Sequence, residues 1–333
     1  MSELMRPDGM NIELTNSCPL RCPQCYCTLE GGKHIPLETA LRVLEQAAAL
    51  GVRHVELSGG ETLCYPHLYA VVEAAHRLNI APSISVSGWH FTDEVLNRLI
   101  ESGIDTIYVS LNGPTKTANS LTRDGFELGI GALEVLQRNA FPNTVINWVM
   151  HRETADLLPD MISLAERYDV SGILIIDPKP TAAGEMNTYP SKEQLYRTAE
   201  LVKKQRGKQP ELIVQHCFSP LLALSKDNPF WGNLNRGPYR GCTAGIISFS
   251  VNVDGLFSPC RHLDFFEKWD SLSDYWERSP VLERIRTLDE GKQEPCRSCR
   301  YSPCCRHCLA HCLPARSSSV PSWLCTSLPS SYR

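Results

Sequence analysis

The stretch MNIELTNSCPLRCPQCYC, residues 10–27, joins an alternating apolar run to four closely spaced cysteines. Apolar and polar residues alternate through residues 11–15, which predicts a β-strand. Cys18, Cys22 and Cys25 then follow with the spacing CX3CX2C, and the fourth cysteine lies two residues further on. The sequence thus predicts a strand that runs directly into a thiol-rich loop.

The whole chain has 333 residues, fifteen of them cysteines, and a formal net charge of −4. This length allows a substantial core and as many as two domains. No run approaches the roughly twenty apolar residues of a membrane span, and the first residues lack the apolar segment of a signal peptide. We therefore expect a cytoplasmic protein with no membrane partner, whose reduced thiols serve metal or redox chemistry rather than disulfides. The lack of any Lys/Arg block predicts no nucleic-acid partner.

Short β-rich runs alternate with helical patterns from about residue 10 to residue 177. The predicted strands are residues 11–15, 54–57, 83–87, 106–111, 144–150 and 172–176. The amphipathic helical patterns are residues 37–50, 68–78, 92–102, 131–139 and 156–169. Six β/α units imply parallel strands with right-handed crossovers, hence an α/β fold that is either a doubly wound sheet or an incomplete barrel. In both architectures ligands bind at the carboxyl ends of the strands.

The rest of the chain is organised differently. The alternation loosens between residue 178 and about residue 240, where one helix is predicted near residues 192–205. Beyond that point the sequence is rich in cysteine and ends in a Ser/Pro tail. We predict three regions: a core barrel over residues 1–180, a bridging region over residues 181–240 and a cysteine-rich domain over residues 241–333.

Three thiolates on one tight loop can hold three irons of a [4Fe-4S] cube, which normally has four cysteine ligands. The fourth iron is then open to a substrate or cofactor. Zinc is the alternative, because it prefers four ligands and Cys27 could complete the set formed by Cys18, Cys22 and Cys25. If the loop binds iron, Cys27 is a spare thiol.

The loop resembles the signature of the radical S-adenosylmethionine (radical SAM) enzymes, which carry this spacing after the first strand of a partial (β/α)6 barrel similar to a TIM barrel. The resemblance implies that the open iron binds the amino and carboxylate groups of SAM. One electron from the cluster then cleaves SAM to methionine and a 5′-deoxyadenosyl radical, which abstracts hydrogen from the substrate. One departure is Gln24, since the residue before the last cluster cysteine is often aromatic in that family.

Other predicted strand ends resemble motifs of the same family. Gly59, Gly60 and Glu61 in LSGGET look like its Gly-Gly-Glu motif, in which the carboxylate receives the methionine amino group and the glycines let backbone approach the ligand. The segment VSLNGP has Asn112 where an aspartate is common. The resemblance implies three further SAM contacts: Ser110 and Arg123 to the carboxylate, and Ser87 near the ribose. Taken alone, these residues are equally typical of ordinary turns and solvated surface.

The cysteine-rich region resembles the SPASM extension of radical SAM enzymes, whose pattern is CX9–15GX4C, a gap, CX2CX5CX3C, a gap and C. Six positions fit this pattern: Cys242, Gly255, Cys260, Cys296, Cys299 and Cys305. The fit then breaks, because the next expected cysteine falls on Leu309. A CX3C spacing is restored by Cys308 with Cys312, or by Cys304 with Cys308. Nine cysteines are available where eight would fill two cubes, so one is left over.

The resemblance implies two auxiliary [4Fe-4S] clusters, and therefore three clusters in all together with SAM. Cys242, Cys260 and either Cys312 or Cys308 would hold the first auxiliary cluster. The second would be held by Cys296, Cys299, Cys305 and Cys325. A zinc ribbon built from the closely spaced groups is the alternative. Auxiliary clusters beside a substrate can accept the second electron that an oxidation or a bond closure releases.

The catalytic residues are not fixed by the resemblance. In sulfatase-maturing relatives an aspartate follows the GX4C cysteine and acts as the base, whereas Arg261 follows it here. Arg261 and His262 are candidates for binding an acidic group or for proton transfer, and are otherwise polar loop residues. Cys217 is a candidate for hydrogen donation or for bonding substrate, although a lone cysteine is usually a small buried apolar residue. Aromatic and arginine residues in residues 228–242 could line a peptide groove.

The leading hypothesis is an anaerobic radical SAM/SPASM oxidoreductase that modifies a ribosomally made peptide by a crosslink, a thioether or an altered stereocentre. The alternatives are a radical dehydrogenase or rearrangement enzyme acting on a small metabolite, and a non-catalytic iron-sulfur or zinc protein. Few residues precede the first predicted strand, so no peptide-recognition domain is expected there. The expected partners are therefore a peptide or small-molecule substrate, an external electron donor such as a flavodoxin or ferredoxin, and a separate peptide-recognition protein.

Overall fold

The computed structural model of the protein describes residues 5–29, 31–179, 189–224, 241–288, 297–298, 306 and 308–312. The strands are β1 (Gly9–Thr15), β2 (His54–Gly59), β3 (Ala81–Val86), β4 (Thr106–Ser110), β5 (Thr144–Val149), β6 (Gly172–Ile176), β7 (Glu211–Val214), β8 (Ser248–Val251) and β9 (Phe257–Ser258). The helices are α1 (Leu37–Ala49), α2 (Leu68–Arg77), α3 (Asp93–Glu101), α4 (Lys116–Ser120), α5 (Phe126–Arg138), α6 (Leu158–Arg167), α7 (Lys192–Gln205), α8 (Leu272–Arg278), α9 (Pro280–Thr287) and α10 (Leu309–Cys312). Short 3-10 turns are formed by Thr62–Cys64, Ala155–Leu157 and His216–Leu224.

All nine strands belong to one sheet in the order β7-β6-β5-β4-β3-β2-β1-β8-β9. Every neighbouring pair is parallel except β8 and β9, which are antiparallel. From β1 to β7 each strand lies next to the one that precedes it in the chain, with a helix in most crossovers. A doubly wound sheet would instead reverse its order at a switch point. Of the two predicted alternatives, the architecture is therefore the incomplete barrel.

The two faces of the sheet differ in polarity. One face carries a row of paired apolar residues, Ile12, Leu57, Ile84 and Ile107, all with 0% exposure, and it packs against the helices in the main core. The other face lines a cavity with polar side chains from successive strands: Asn11, Glu56, Ser58, Ser83, Ser85, Tyr108, Ser110 and Asn147. A parallel sheet buried on both sides is normally apolar throughout. The polar inner face therefore indicates a binding site inside the barrel.

The six strands predicted from periodicity are confirmed, each within two residues at either end. The helix predicted near residues 192–205 is also confirmed, as α7. Three short strands were not predicted, namely β7, β8 and β9. β7 lies within the predicted bridging region and continues the sheet beyond β6, whereas β8 lies within the cysteine-rich region and pairs with β1. The three-region boundaries stay a prediction.

The helices of the described residues are all amphipathic or short rather than uniformly apolar. None of them is long and apolar enough to cross a membrane.

Candidate active site

The cysteine loop follows β1 at the carboxyl end of the sheet, as predicted. Cys18, Cys22 and Cys25 are all partly buried and all line the same cavity. The Cys25 N–H donates to the Cys22 carbonyl over 3.0 Å, which forms a tight turn between these two thiols. Burial raises the pKa of Cys18 to about 11, whereas a hydrogen bond with the Cys27 thiol lowers the pKa of Cys25 to about 6. Three partly buried thiols from one loop that line the same cavity are a donor set that fits an iron cube.

Gly59 and Gly60 bring the end of β2 against this loop. Gly60 N–H donates to the Thr15 carbonyl over 2.7 Å, and Glu61 N–H donates to the Ser17 carbonyl over 2.8 Å. A Cβ on Gly59, whose φ is +139°, would lie 2.1 Å from the Thr15 oxygen, and one on Gly60 would lie 2.3 Å from the Ser17 oxygen. The approach of a ligand to these glycines stays a prediction. The structure adds a second reason for glycine, because backbone of the cysteine loop lies where a Cβ would be.

Glu61 is a buried carboxylate with 2% exposure that lines the cavity. Its Oε2 accepts hydrogen bonds from the Ser87 N–H over 2.8 Å and from the Ser87 hydroxyl. Burial raises its pKa despite these bonds. Ser87 follows β3, so two neighbouring strand ends are joined by one carboxylate. The structure thus brings together Glu61 and Ser87, which the sequence analysis had placed at separate parts of SAM.

Ser110 and Arg123 also line the cavity, Ser110 at the end of β4 and Arg123 after α4. The Asn119 side chain holds this segment, because its Nδ2 donates to the Arg123 carbonyl over 2.8 Å and its Oδ1 accepts from the Asn112 N–H over 2.8 Å. The Arg123 Nε is buried and has no hydrogen-bond partner among the described residues. A buried cationic donor without a partner at a cavity wall is suited to an anionic group.

Gln24 and Asn112, the two departures from the family pattern, contact each other. The Asn112 Nδ2 donates to the Gln24 Oε1 over 2.7 Å and to the Thr122 hydroxyl over 2.9 Å. His151 Nε2 contacts the same Gln24 oxygen. Burial lowers the pKa of His151 to about 4, so the ring is neutral and carries its proton on Nε2 in order to donate. The amide of Gln24 is thereby fixed beside Cys25.

A second group of thiols borders the same cavity. Cys242, Cys260 and Cys308 line it together with the first cysteine loop, and the cavity volume is about 490 Å³. The three side chains pack in a small separate core with Ala244, Leu263, Ile285, Leu309 and Ala310. Burial raises the pKa of Cys242, and it raises that of Cys260 to about 12. Two thiol groups that line one cavity can both lie near the same bound ligand.

Arg306 fixes the geometry of this second group. It has 6% exposure, and its guanidinium donates to the carbonyls of Cys242, Ala244 and Ile285 over 3.2, 3.2 and 2.8 Å. The Cys242 N–H donates to the Arg306 carbonyl over 2.7 Å. Gly241, with φ +99°, is required there because its Cβ would lie 2.2 Å from the same carbonyl oxygen. The segment before Cys308 is thus bound directly to the segment at Cys242.

Four of the predicted auxiliary ligands lie outside the described residues, namely Cys296, Cys299, Cys305 and Cys325, and so does Cys304, the alternative partner of Cys308 in the CX3C spacing. Their assignments, and the second auxiliary cluster that depends on them, stay predictions. The structure describes Cys312 only as the last residue of α10. The side chain of the other alternative, Cys308, packs with Cys242 and borders the cavity. The aromatic loop over residues 228–242 is described only at its last two residues.

The catalytic candidates Arg261 and His262 both contact Tyr26 in the first cysteine loop. Arg261 forms an ion pair with Glu56 on β2 and donates to the Tyr26 hydroxyl over 3.2 Å. The His262 ring packs against the Tyr26 ring with centroids 4.4 Å apart, and burial lowers its pKa. Because the Arg261 charge is balanced by Glu56, it is not a free site for an acidic group. Its contacts join the residue after Cys25 to the residue after Cys260.

The third candidate, Cys217, lies in a polar cluster that the sequence analysis missed. Lys179 Nζ donates to Asp177 Oδ2 over 2.9 Å and to Cys217 Sγ over 3.1 Å. His311 Nε2 is 3.0 Å from the same Asp177 oxygen. Burial opposes ionisation of Asp177, but the charges of Lys179 and His311 outweigh it and hold its pKa below the usual value. Asp177 directly follows β6, so the rule that ligands gather at strand ends could have identified it.

Comparisons with known proteins agree with this architecture. The family description "Radical SAM superfamily" matches residues 12–165. The chain is 32% identical over 313 residues to the PqqA peptide cyclase of Gluconobacter oxydans (strain 621H), covering 88% of this chain and 82% of that protein. The chain therefore belongs to the radical SAM superfamily and is an enzyme of that superfamily, with SAM and a [4Fe-4S] cluster as its cofactors.

Two solved structures share the fold. Streptococcus suis SuiB bound to S-adenosylmethionine aligns with a TM-score of 0.80 at 19% identity, over 96% of this chain and 77% of that one. Native anSMEcpe with bound AdoMet and Cp18Cys peptide aligns with a TM-score of 0.74 at 17% identity, over 96% of this chain and 94% of that one. At these identities the likeness confirms the predicted partial-barrel fold.

Proposed function

We propose that this radical SAM enzyme modifies a ribosomally made peptide, and that the modification closes a bond within that peptide. The observation that carries the proposal is the single cavity bordered by the SAM-type cysteine loop and by the second thiol group around Cys242. Closing a bond between two substrate atoms removes two hydrogens in all. One leaves as a hydrogen atom, and the other as a proton and an electron. An acceptor beside the substrate is therefore needed, and an auxiliary cluster provides one.

The choice of a peptide is supported by the relatives. Two relatives carry the name PqqA peptide cyclase, and the chain covers about four-fifths of the length of each. A structural neighbour holds a peptide together with AdoMet. Within this proposal the crosslink is favoured over the thioether and the altered stereocentre. The alternative is a dehydrogenase that acts on a small metabolite, and the test described below can identify it.

The SAM contacts are proposed from the cavity wall. Cys18, Cys22 and Cys25 would hold the cluster that supplies the electron for SAM cleavage. The buried Arg123 Nε has no partner among the described side chains, which suits the SAM carboxylate. The Glu61 carboxylate is held in place at the cavity wall through both oxygens, because Oε2 accepts from Ser87 and Oε1 accepts from the Leu63 N–H over 3.4 Å.

The remaining contacts follow from position. Ser110, at the end of β4, would share the SAM carboxylate with the arginine, and the hydroxyl of Ser87 would lie near the ribose. The glycines Gly59 and Gly60 would act indirectly, because they let the carboxylate-bearing turn contact the cysteine loop. Substitution of Ser110, Ser87 or Arg123 should therefore weaken SAM binding without loss of iron, whereas substitution of either glycine should also disturb the cysteine loop.

For the second thiol group we propose an auxiliary [4Fe-4S] cluster held by Cys242, Cys260 and Cys308. Their burial together in one small core suits a cluster, because iron compensates the cost of burying thiolates. The second auxiliary cluster of Cys296, Cys299, Cys305 and Cys325 remains part of the proposal. An external one-electron donor such as a flavodoxin or ferredoxin would reduce the SAM cluster, and a separate protein would present the peptide.

The test uses the full chain reconstituted anaerobically with iron, sulfide, SAM and a reductant. We expect about twelve irons per chain if three cubes form, together with 5′-deoxyadenosine. A synthetic peptide encoded by a short reading frame beside the gene should become lighter by two hydrogens, measured by mass spectrometry. The matched variants are Cys18→Ala/Cys22→Ala/Cys25→Ala, which should make no 5′-deoxyadenosine, and Cys64→Ala, which should behave like the natural chain.

Other outcomes identify the competing functions. Neighbouring genes for sugar or cofactor biosynthesis, with no mass change in any encoded peptide, would support a small-metabolite substrate. Metal bound without any cleavage of SAM would support an iron-sulfur or zinc carrier. Cleavage of SAM by the triple alanine variant would overturn the assignment of the cysteine loop.

A further inference from the structure

The lone cysteine Cys217 is placed beside the second thiol group by the sheet. β7 pairs with β6 in parallel, with Ile175 opposite Val214, so the two strands end side by side. Asp177 and Lys179 follow β6, and Cys217 follows β7 in the turn His216–Leu224. Cys217 is partly buried and packs against the small core that contains Cys242 and Cys308. The pairing of β6 with β7 therefore places Cys217 near Cys242 and Cys308, which are distant from it in the sequence.

The ligand atoms around Cys217 form a compact group. The Cys217 and Cys308 sulfurs and a carboxylate oxygen of Asp177 all lie within 4.8 Å of one another. The Cys242 and Cys308 side chains are buried in one small core, and the Cys217 and Cys260 side chains pack against it. All four thiols also line the cavity. Four thiols from separate parts of the chain are therefore grouped at one part of the cavity wall.

We propose that Cys217 supplies the fourth thiolate of the auxiliary site formed by Cys242, Cys260 and Cys308. This assignment rests on the auxiliary cluster of the proposed function. Four cysteine ligands fill all the irons of a [4Fe-4S] cube. The auxiliary cluster then offers no iron to the substrate and serves only to exchange electrons. Cys217 is accordingly a ligand and not a hydrogen donor to the substrate.

The rival ligand at this position is Asp177. Its Oδ2 is already engaged by Lys179 and His311, and its Oδ1 is buried without a partner among the described residues. Iron-sulfur clusters are held by soft thiolates in preference to carboxylates. Asp177 is also the counter-charge of the buried Lys179, whose side chain is only 7% exposed. Removing the carboxylate from this pair to bind iron would leave that cation unbalanced.

Lys179 has a role of its own in this arrangement. Its ammonium donates to the Cys217 sulfur over 3.1 Å and is held by Asp177. Hydrogen bonds to ligating sulfurs, together with nearby charge, set the potential of an iron-sulfur cluster. A cation that donates to a ligand sulfur stabilises the more negative, reduced state. Lys179 is therefore a positioning residue that makes the cluster a better electron acceptor.

The experiment isolates the auxiliary sites in a full chain that carries Cys18→Ala/Cys22→Ala/Cys25→Ala. A cube with an uncovered iron releases that iron on mild oxidation by ferricyanide and leaves a [3Fe-4S] cluster, which is detected by its EPR signal. In this background we expect Cys217→Ala to add about one [3Fe-4S] spin per chain. Cys64→Ala, a second partly buried lone cysteine, should add none.

Two further variants complete the test. If Cys217→Ala does not yield folded protein, Cys217→Ser retains a weak oxygen ligand and should shift the EPR spectrum of the reduced auxiliary cluster. Lys179→Met should lower the midpoint potential of one auxiliary cluster without changing the iron content.

The outcomes separate this assignment from the function on which it rests. An unchanged signal after Cys217→Ala, or a gain of signal after Asp177→Asn instead, overturns the assignment while the auxiliary cluster stands. A triple-alanine background that binds no iron overturns both the auxiliary cluster and its fourth ligand. Peptide modification is measured separately in the natural chain, so its failure is recognised independently.

Discussion

Two substitutions relative to the family pattern compensate each other at the level of single residues. Gln24 occupies a position that is often aromatic, and Asn112 one that is often acidic. The two amides bond to each other over 2.7 Å, and His151 adds a third partner. An aspartate at position 112 would bring a charge against the Gln24 carbonyl oxygen. The neutral amide of Asn112 is therefore suited to its partner Gln24. The two residues that differ from the family pattern form one hydrogen-bonded network and are not independent changes.

The neutral state of His151 makes stability depend on pH. Its pKa in the folded protein is about 4, against an ordinary value of 6.5, so protonation favours unfolding. The stability that comes from keeping His151 neutral is fully present above about pH 6.5, the ordinary pKa of the unfolded state, and is lost as the pH falls towards 4. When the pH is lowered from about 7.5 to about 5.5, the free energy of unfolding should fall in both proteins. The fall should be about 1 kcal/mol smaller in His151→Gln than in the natural chain. Anaerobic urea unfolding at both pH values measures this, and equal losses would contradict it.

The buried carboxylate of Glu61 depends on Ser87. Ser87→Ala removes the hydroxyl donor and leaves a buried charged oxygen with one bond fewer. We expect a loss of about 2 kcal/mol in the free energy of unfolding and weaker binding of SAM. The control is Ser102→Ala, whose hydroxyl donates only to the Arg98 carbonyl at an exposed position and should change stability by less than about 0.5 kcal/mol. Equal effects of the two variants would refute the role of Ser87.

At the level of elements, periodicity predicted six parallel β/α units, whereas the polar inner face of the sheet indicates the binding site. Residues such as Glu56 and Ser85 alternate with fully buried Leu57 and Ile84 along neighbouring strands. Alternation alone predicts a half-exposed strand. It does not distinguish a face exposed to bulk water from one that lines a cavity, because that depends on closure of the sheet.

The contact between β2 and the cysteine loop can be tested by two glycine variants. Gly60→Ala places a Cβ within 2.3 Å of the Ser17 carbonyl, so the loop must move. We expect a loss of at least about 2 kcal/mol in stability and reduced iron at the first cluster. Gly131→Ala, within α5 and with open space around its Cβ, should instead stabilise the chain by up to about 1 kcal/mol. Thermal unfolding and iron content distinguish the two.

At the scale of the whole molecule, Arg261 connects the two thiol groups. It contacts Tyr26, next to Cys25, and Glu56 on β2, and it directly follows Cys260. Arg261→Met leaves the Glu56 charge without its partner and should cost about 2 kcal/mol. The double variant Arg261→Met/Glu56→Gln should recover part of this loss. Urea unfolding of all four proteins in the cycle measures the coupling, and strictly additive losses would show that the ion pair is unimportant.

The sequence predicted the local parts of this molecule and missed the long-range ones. The CX3CX2C loop, the Gly59–Glu61 turn and six strands were evident because each is encoded within a few residues. The cluster of Asp177, Lys179 and Cys217 was not, because it arises where β6 and β7 end side by side. Likewise the partner of Arg261 is Glu56, more than two hundred residues earlier, and no local pattern indicates that pairing. Contacts of this kind form only when distant parts of the chain have assembled into one sheet.

The pairing of β1 with β8 has a consequence for synthesis of the protein. β1 carries the cysteine loop, yet one of its edges is completed only by residues Ser248–Val251. While the ribosome is still translating the middle of the chain, that edge offers unsatisfied backbone groups to any other nascent strand. The strand that precedes the cysteine loop therefore gains both of its neighbours only after Val251 has been synthesised.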